Sequence, residues 1–343
     1  MEAITVIITT YNLERYIQTC LDQIFAQTFK DFRVLVVDDC SADRTPDIIR
    51  QYQAKYPGKI DAVFNPENMG SPSLTRNVAL DYPIQTEYIL FTDGDDELDP
   101  QMLEKLHASI TREDADMAVC AYRRFDSATG KTYCYEMDRF PVRVMVSPLQ
   151  NELPVWINAA LWNKLIRRSV IGDLRLPPFR VGEDASFLLR LYQRTARICF
   201  VPDVLFHYRV HPASVISATS FDTIQLFAHE LARIKEDYAI NGWNPDIVYL
   251  AMFVHIGVSM AHRAYANPSL KSSEYAAWAK SYFNHDFPGW FRNPCLSLKS
   301  LSRRGVKGMA LWVLKLLYKA NISPVFLFCY NFSIRHLKID IKW

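Results

Sequence analysis

Apolar and polar positions over the first hundred residues alternate between two periods. Ile4 to Ile8 is an apolar run, followed by the polar loop Thr9-Thr10-Tyr11-Asn12 and then by apolar residues at 13, 16, 17, 20, 21 and 24. The first pattern predicts a buried strand and the second an amphipathic helix, with Asn12 placed to cap it. Val34 to Val37 repeats the strand signal, and Thr45-Pro46 supplies a cap residue and a proline at the first helical position. Ser71-Pro72 and Asp99-Pro100 open helices in the same way, with strands expected at about 60–64 and 88–92. Four alternations of strand and helix predict an α/β fold with a mostly parallel sheet and flanking helices.

Farther along, the pattern changes. Residues 120–160 are rich in aromatics and poor in helix signals, which suggests a flap or an acceptor-facing segment. Phe227, Leu231, Ile234 and Tyr238 fall at helical spacing and begin a C-terminal helical extension. From Val306, residues 306, 309, 310, 313, 314 and 317 form one apolar helical face, widened by Leu311, Trp312, Leu316 and Tyr318, with Lys307, Lys315 and Lys319 beside it. The chain therefore reads as three parts: 1–218, a helical extension 219–300 and a basic amphipathic tail 301–343.

Composition changes the picture in two places. A chain of 343 residues that is 50% hydrophobic and 22% charged is globular, which excludes a disordered polymer. Its seven cysteines form no CxxC pair, and the first residues lead into a strand without a leader pattern, so a cytoplasmic, reducing location is expected. Net charge is +2, yet residues 287–339 hold nine Lys or Arg and no Asp or Glu, leaving −7 on the remainder. No nucleic-acid-binding motif accompanies this basic segment. Its longest charge-free run, Ala320 to Ile334, is 15 residues and interrupted by Pro324, whereas a membrane span needs roughly 20. The tail is expected to lie peripherally on a membrane surface, drawn to anionic lipid, or to form a homo-oligomer contact.

In open α/β sheets ligands bind beyond the carboxyl ends of the strands. Two of the loops there are acidic: Asp38-Asp39-Cys40-Ser41-Ala42-Asp43 and Asp93-Gly94-Asp95-Asp96. Crowded like charges need a cation or hydrogen-bond donors to compensate them, and an oxygen-ligand metal is implied. Asp38, Ser41 and Asp43 can equally be turn and cap residues, since such side chains close loops onto their own backbone. Glu183 and Asp184 head an amphipathic helix, where the helix dipole alone favours acids. His207 and His211 flank Tyr208-Arg209. Trp162 reads as core, whereas Trp156 could be core or a sugar-stacking platform.

These residues together resemble the family-two glycosyltransferases, inverting enzymes of the GT-A fold. The resemblance runs through Val6-Ile7-Ile8-Thr9-Thr10-Tyr11-Asn12, Gln27-Thr28-Phe29 with Asp31-Phe32, Val36 to Thr45, Asn68-Met69-Gly70 with Arg76-Asn77, Asp93-x-Asp95-Asp96, Trp162-Asn163-Lys164-Leu165, Gly182-Glu183-Asp184 and Tyr208-Arg209, covering about residues 4–217. Cys40 departs from the small Gly or Asn usual at its position. The resemblance implies a nucleotide-binding GT-A domain that moves a sugar from a nucleotide diphosphate donor, UDP-linked by analogy, to a hydroxyl of a glycan or lipid-linked glycan in cell-surface polysaccharide synthesis. It implies Asp184 as general base. Donor binding would fall to Thr9, Tyr11, Asp39, Arg76, Asp93 and Lys164. Asp95, with His211 as a further candidate, would hold Mn²⁺ or Mg²⁺. A sugar-nucleotide pyrophosphorylase is the rival enzyme, but no Gly-rich activating loop stands near the N-terminus. A catalytically inactive sugar-nucleotide-binding module is the rival non-enzyme, against which Asp93, Asp95 and Asp184 are all present.

Overall fold

The computed structural model describes residues 2–210, 220–266 and 271–325. Its order begins β1 (Ile4–Thr10), α1 (Ile17–Phe25), β2 (Phe32–Asp38), α2 (Thr45–Lys55), β3 (Ile60–Phe64), α3 (Pro72–Asp81), β4 (Tyr88–Asp93), β5 (Glu97–Leu98) and α4 (Met102–Arg112). There follow β6 (Met117–Asp126), β7 (Thr132–Glu136), β8 (Val144–Val146), β9 (Lys164–Arg167), α5 (Arg168–Ile171), α6 (Glu183–Tyr192) and β10 (Arg197–Val210). The sheet runs β3-β2-β1-β4-β9-β6-β10-β5, with β7 added to β6 and β8 to β10. Strands β1 to β4 are mutually parallel, and β6 is parallel to β10; β9 enters antiparallel between β4 and β6.

All seven residues of β1 are buried, as a central strand covered on both faces requires. Helix α1 inserts Ile17, Cys20, Leu21 and Ile24 into the core, all fully buried. Each of its aliphatic side chains contributes about 2 kcal/mol by burial. Asn12 does not cap this helix, which starts five residues later. Asn12 is left-handed (φ 53°), its Oδ1 accepts from Ala42 N (2.8 Å) and its own N–H donates to Ser41 Oγ (2.8 Å), so it ties the first loop to the second. Thr45 Oγ1 likewise accepts from Leu13 N, and Asp43 Oδ1 accepts from Thr45 N in its place. After Asp99-Pro100, α4 starts at Met102, while Asp99 Oδ1 accepts from Gln101 N.

The described residues fall into two compact units, one made of residues up to 148 plus 159–214, the other of 149–158 plus residues from 215 onward. The second is helical: α7 (Phe221–Ile240), α8 (Asp246–Met252), a π-helical stretch Phe253–Met260, α9 (Ala261–Ala266), α10 (Ser272–Asp286), α11 (Leu298–Ser302) and α12 (Gly305–Lys319). Phe227, Leu231, Ile234 and Tyr238 of α7 are fully buried, as their spacing predicts. The π-helical turns widen the carbonyl ladder, and two buried tyrosines use it: Tyr275 donates to Ile256 O (2.7 Å) and Tyr318 to Gly257 O (3.0 Å). Residues Asp246–Ala264 form the described helical run long and apolar enough to cross a bilayer, but 72% of it is buried within the protein, as in a core helix.

Helix α12 divides the apolar face read from its sequence between the interior and the surface. Gly308, Leu311, Leu314, Lys315 and Tyr318 are buried, while Val306, Met309, Val313 and Leu316 are exposed. The cause is a close crossing, in which a Cβ on Gly308 would stand 1.8 Å from the Leu301 carbonyl oxygen of α11. That approach fixes the helix rotation and puts the 308/311/315 line against the protein.

Candidate active site

The parallel register sets the first contacts. Thr9 lies opposite Asp93, and Thr10 opposite Asp38, at the carboxyl ends of β1, β4 and β2. Thr9 Oγ1 donates to Asp93 Oδ1 (3.1 Å), and Thr10 Oγ1 donates to Asp38 Oδ1 (2.9 Å). Asp38 also accepts from Ser41 Oγ and Ser41 N, and Asp43 from Glu14 N and Thr45 N. Both therefore serve as turn-closing residues. Asp39 is buried, with Oδ1 accepting from Asn65 Nδ2 (2.9 Å) and Met69 N (3.0 Å), which fixes the loop after β3 against the loop after β2. Tyr11, half exposed, stands at the mouth of these loops.

The turn after β4 needs Gly94 because a Cβ there would meet Thr10 Cγ2 at 3.0 Å and Leu13 and Ile17 at 3.1 Å. Of its three carboxylates, Asp93 and Asp95 are partly exposed and Asp96 is buried. Burial, reinforced by Asp95 and Asp93, pushes the Asp96 carboxyl well above the usual carboxylate range. Asp96 Oδ1 accepts from Arg209 N (2.8 Å), and Arg209 Nε donates to Asp95 O (2.7 Å) while its guanidinium pairs with Glu97. Arg209 is further held against the rings of Tyr16 and Phe125. The strand end at Tyr208-Arg209 thus clamps the acidic turn.

Arg76 links the distant parts. Its guanidinium is buried, with Nη2 donating to Asp93 Oδ1 (2.8 Å), Nη1 donating to Asp184 Oδ1 (2.9 Å) and Glu183 Oε1 at 3.9 Å. Burial disfavours the Arg76 charge, but Asp184, Asp93 and Glu183 outweigh it and hold the group above its ordinary pKa. The neighbouring Asn77 makes two backbone-like bonds with Leu176, N to Oδ1 at 2.8 Å and Nδ2 to O at 2.9 Å. Ser71 donates to Phe179 O, and Arg180 donates to Gly70 O. These bonds stitch the segment before α6 to α3 and deliver Asp184 to Arg76 across 108 residues of sequence.

Asp184 occupies the first turn of α6, which is entered through Gly182 in the left-handed region (φ 86°). Burial raises its pKa, and the charges of Arg76 and Lys164 limit the rise. Lys164, expected to touch the donor, is fully buried on β9. Its Nζ donates to Ala160 O (2.6 Å) and Asn163 Oδ1 (2.9 Å), and burial brings the ammonium down to about 7 against the attraction of Asp184. Its position follows from β9 being an interior strand. His207 Nδ1 accepts from Arg123 Nε (3.1 Å), and burial keeps this imidazole neutral more readily than usual. Trp162 packs in the core against Tyr122, Phe206 and Tyr208. His211 lies outside the described residues. Sequence reasoning did not find that Arg76 bridges two acids or that Arg209 braces the acidic turn. Both were detectable only as cations among carboxylates that needed compensation.

Among the described residues no three His, Cys, Asp or Glu side chains are assembled to hold an ion by themselves. The oxygen donors of Asp93 and Asp95 nevertheless suit a hard divalent cation of the kind held by one or two carboxylates plus substrate phosphates. The residues present fit a metal that enters with a diphosphate.

Comparison with known proteins gives the family and the fold. Residues 5–175 match the model of glycosyl transferase family 2. The chain is 30% identical to EpsH of Bacillus subtilis over 223 residues, 62% of each chain. It is 29% identical over 213 residues to the poly(ribitol-phosphate) beta-N-acetylglucosaminyltransferase TarS of Staphylococcus aureus, covering 61% of this chain and 35% of TarS. The chain thus spans about a third to two thirds of the length of these relatives. The crystal structure of S. aureus TarS in complex with UDP superposes with a TM-score of 0.67 at 23% identity, over 97% of this chain and 91% of that one. A mannosyltransferase from Pyrobaculum calidifontis, in complex with GDP-Man and Mn²⁺, gives a TM-score of 0.51 at 18% identity, over 97% of this chain and 88% of that one. The sheet with its flanking helices and C-terminal helical region is a GT-A fold, and the chain belongs to glycosyl transferase family 2.

Proposed function

We propose that this protein transfers a sugar from a UDP-sugar to a hydroxyl of a glycan acceptor, with inversion at the anomeric carbon, in the synthesis of a cell-surface polysaccharide. The observation that carries the reading is the buried Asp93–Arg76–Asp184 bridge, which joins the acidic turn at the sheet edge to a second acid of raised pKa. Thr9, Asp39 and Asp93 would hold the nucleoside, with Tyr11 against the base. Asp95 and Asp93 would hold Mn²⁺ or Mg²⁺. When bound, such an ion neutralises charge on the departing diphosphate.

Asp184 would accept the proton of the acceptor hydroxyl as that oxygen attacks the anomeric carbon from the face opposite the leaving group. A carboxylate in this role works best with a pKa moved toward the operating pH, and burial moves it that way. Arg76 keeps Asp184 ionised and oriented until the acceptor arrives, and Lys164 supports the same charge from behind. A single displacement converts an α-linked donor into a β-linked product. The acceptor would be a glycan on a lipid carrier at the cytoplasmic face of the membrane, approached through the basic segment beyond residue 287. Isothermal titration of UDP-, GDP- and CMP-sugars with Mn²⁺ or Mg²⁺ tests the donor. UDP-sugars should bind at least tenfold tighter than the others, about 1.4 kcal/mol. Tighter binding of a GDP- or CMP-sugar would overturn the assignment.

A further inference from the structure

The exposed face of α12 is at odds with a soluble surface. Val306, Met309, Val313 and Leu316 recur every three or four residues and line one side of the helix, with Val306 77% exposed and the others 36–41%. Leu298, Ile322 and Val325 add exposed apolar surface before and after it. Around them Arg292, Lys299, Arg303, Lys307 and Lys319 are also exposed, and residues 287–325 contain no acid to pair them. Lys319 also lies over the Phe291 ring (4.0 Å), and the two other cations of the segment are less exposed: Arg304 pairs with Glu152 (3.2 Å), and Lys315 donates to Leu296 O (2.7 Å). The Gly308–Leu301 crossing fixes the helix rotation, so this face is held outward by packing.

Resting on the membrane contact proposed above, we infer that the outward stripe of α12, with its five exposed cations, is a docking face for anionic lipid. Charge decides the occupant. A second copy seated face to face would bring ten cations together with no carboxylate from residues 287–325 between them, whereas anionic headgroups neutralise each one. The stripe would enter the boundary between headgroups and acyl chains, since a helix of 15 residues, about 22 Å long, is too short to span.

The test is co-sedimentation of the full chain with vesicles of phosphatidylcholine alone, or with roughly 30 mol% phosphatidylglycerol to supply the anionic surface. Binding to the anionic vesicles should exceed that to neutral ones at least about tenfold and weaken as salt is raised. Met309→Gln with Val313→Gln should lower it about tenfold through lost apolar burial. Lys299→Gln with Lys307→Gln should lower it about 25-fold, near fivefold for each cation. All four positions are exposed, so melting temperature and UDP affinity should stay unchanged, and these readouts separate failure of the docking face from failure of the donor assignment. Equal partition onto both vesicle types would overturn the proposal, as would full lipid binding by the Met309/Val313 variant. A concentration-dependent dimer that this variant abolishes, with no lipid binding by the parent, would assign the face to a second copy instead.

Discussion

Replacing Arg76 by Met removes the guanidinium that binds both Asp93 and Asp184. Breaking a buried pair by deleting one partner costs about 3–5 kcal/mol, because a charge is left uncompensated. The side chains of Arg76, Asp184 and Asp93 are 5%, 19% and 29% exposed, and the partial hydration of the acids points to the lower end, about 3 kcal/mol at pH 8. The loss should depend on pH. Burial and the charge of Asp93 already raise the Asp184 carboxyl, and without Arg76 nothing beside Lys164 limits that rise. Groups shifted that way lose their contribution as pH rises through the folded pKa and keep it below the unfolded value near 4. The variant should therefore melt close to the parent near pH 4.5 and roughly 6–12 °C below it at pH 8, taking about 2–4 °C per kcal/mol. Thermal melts across this range check it, with Asp184→Asn added to Arg76→Met recovering about 1–3 kcal/mol. An equal deficit at both pH values, or no deficit, would refute the idea that the guanidinium compensates the two acids.

Two further perturbations follow from the same structure. Gly308→Ala would place a methyl against the Leu301 backbone, and the crossing of α11 and α12 should loosen at a cost of about 1–3 kcal/mol or more. Calorimetry should show that loss with UDP affinity intact, since the residues proposed to hold the nucleotide lie in the other unit. Lys164→Met tests the buried ammonium: with its pKa near 7 in the fold and 10.5 unfolded, the unfolded chain binds the extra proton between these values, so this group favours folding more as pH rises through that window. The melting temperature of the parent should gain on that of the variant from pH 7 to 10, and a constant difference would contradict the assignment.

The first half of the sheet was legible because β1, β2 and β4 are buried parallel strands, each read from an apolar run, and the half-buried edge strand β3 falls between two helix-start signals. The second half was not. Strand β9 is four residues long and defined by pairing with β4 and β6, whose partners lie about 50–80 residues away, so no local period announces it. The capping roles of Asn12 and Thr45 were misread for one reason: their side chains bond across loops, a tertiary use that competes with capping. Which residues of α12 turn inward was not legible, because a glycine contact, rather than summed hydrophobicity, sets its rotation. At the site, residue types and order pointed to Asp39, Asp93 and Asp184. The partners of these acids come from loops and helices far apart in sequence, and the spacing of residues along the chain carries no record of them.

In the proposed function two acids divide the labour: Asp184 would act on the acceptor and Asp95 on the metal-bound donor. Titration of UDP-sugar in the presence of Mn²⁺, paired with a transfer assay on Asp184→Asn and Asp95→Asn, tests it most directly. Asp184→Asn should keep donor affinity within a few-fold of the parent while transfer is abolished, and Asp95→Asn should weaken metal-dependent donor binding. Loss of donor binding in Asp184→Asn, with Asp95→Asn retaining both binding and transfer, would contradict it.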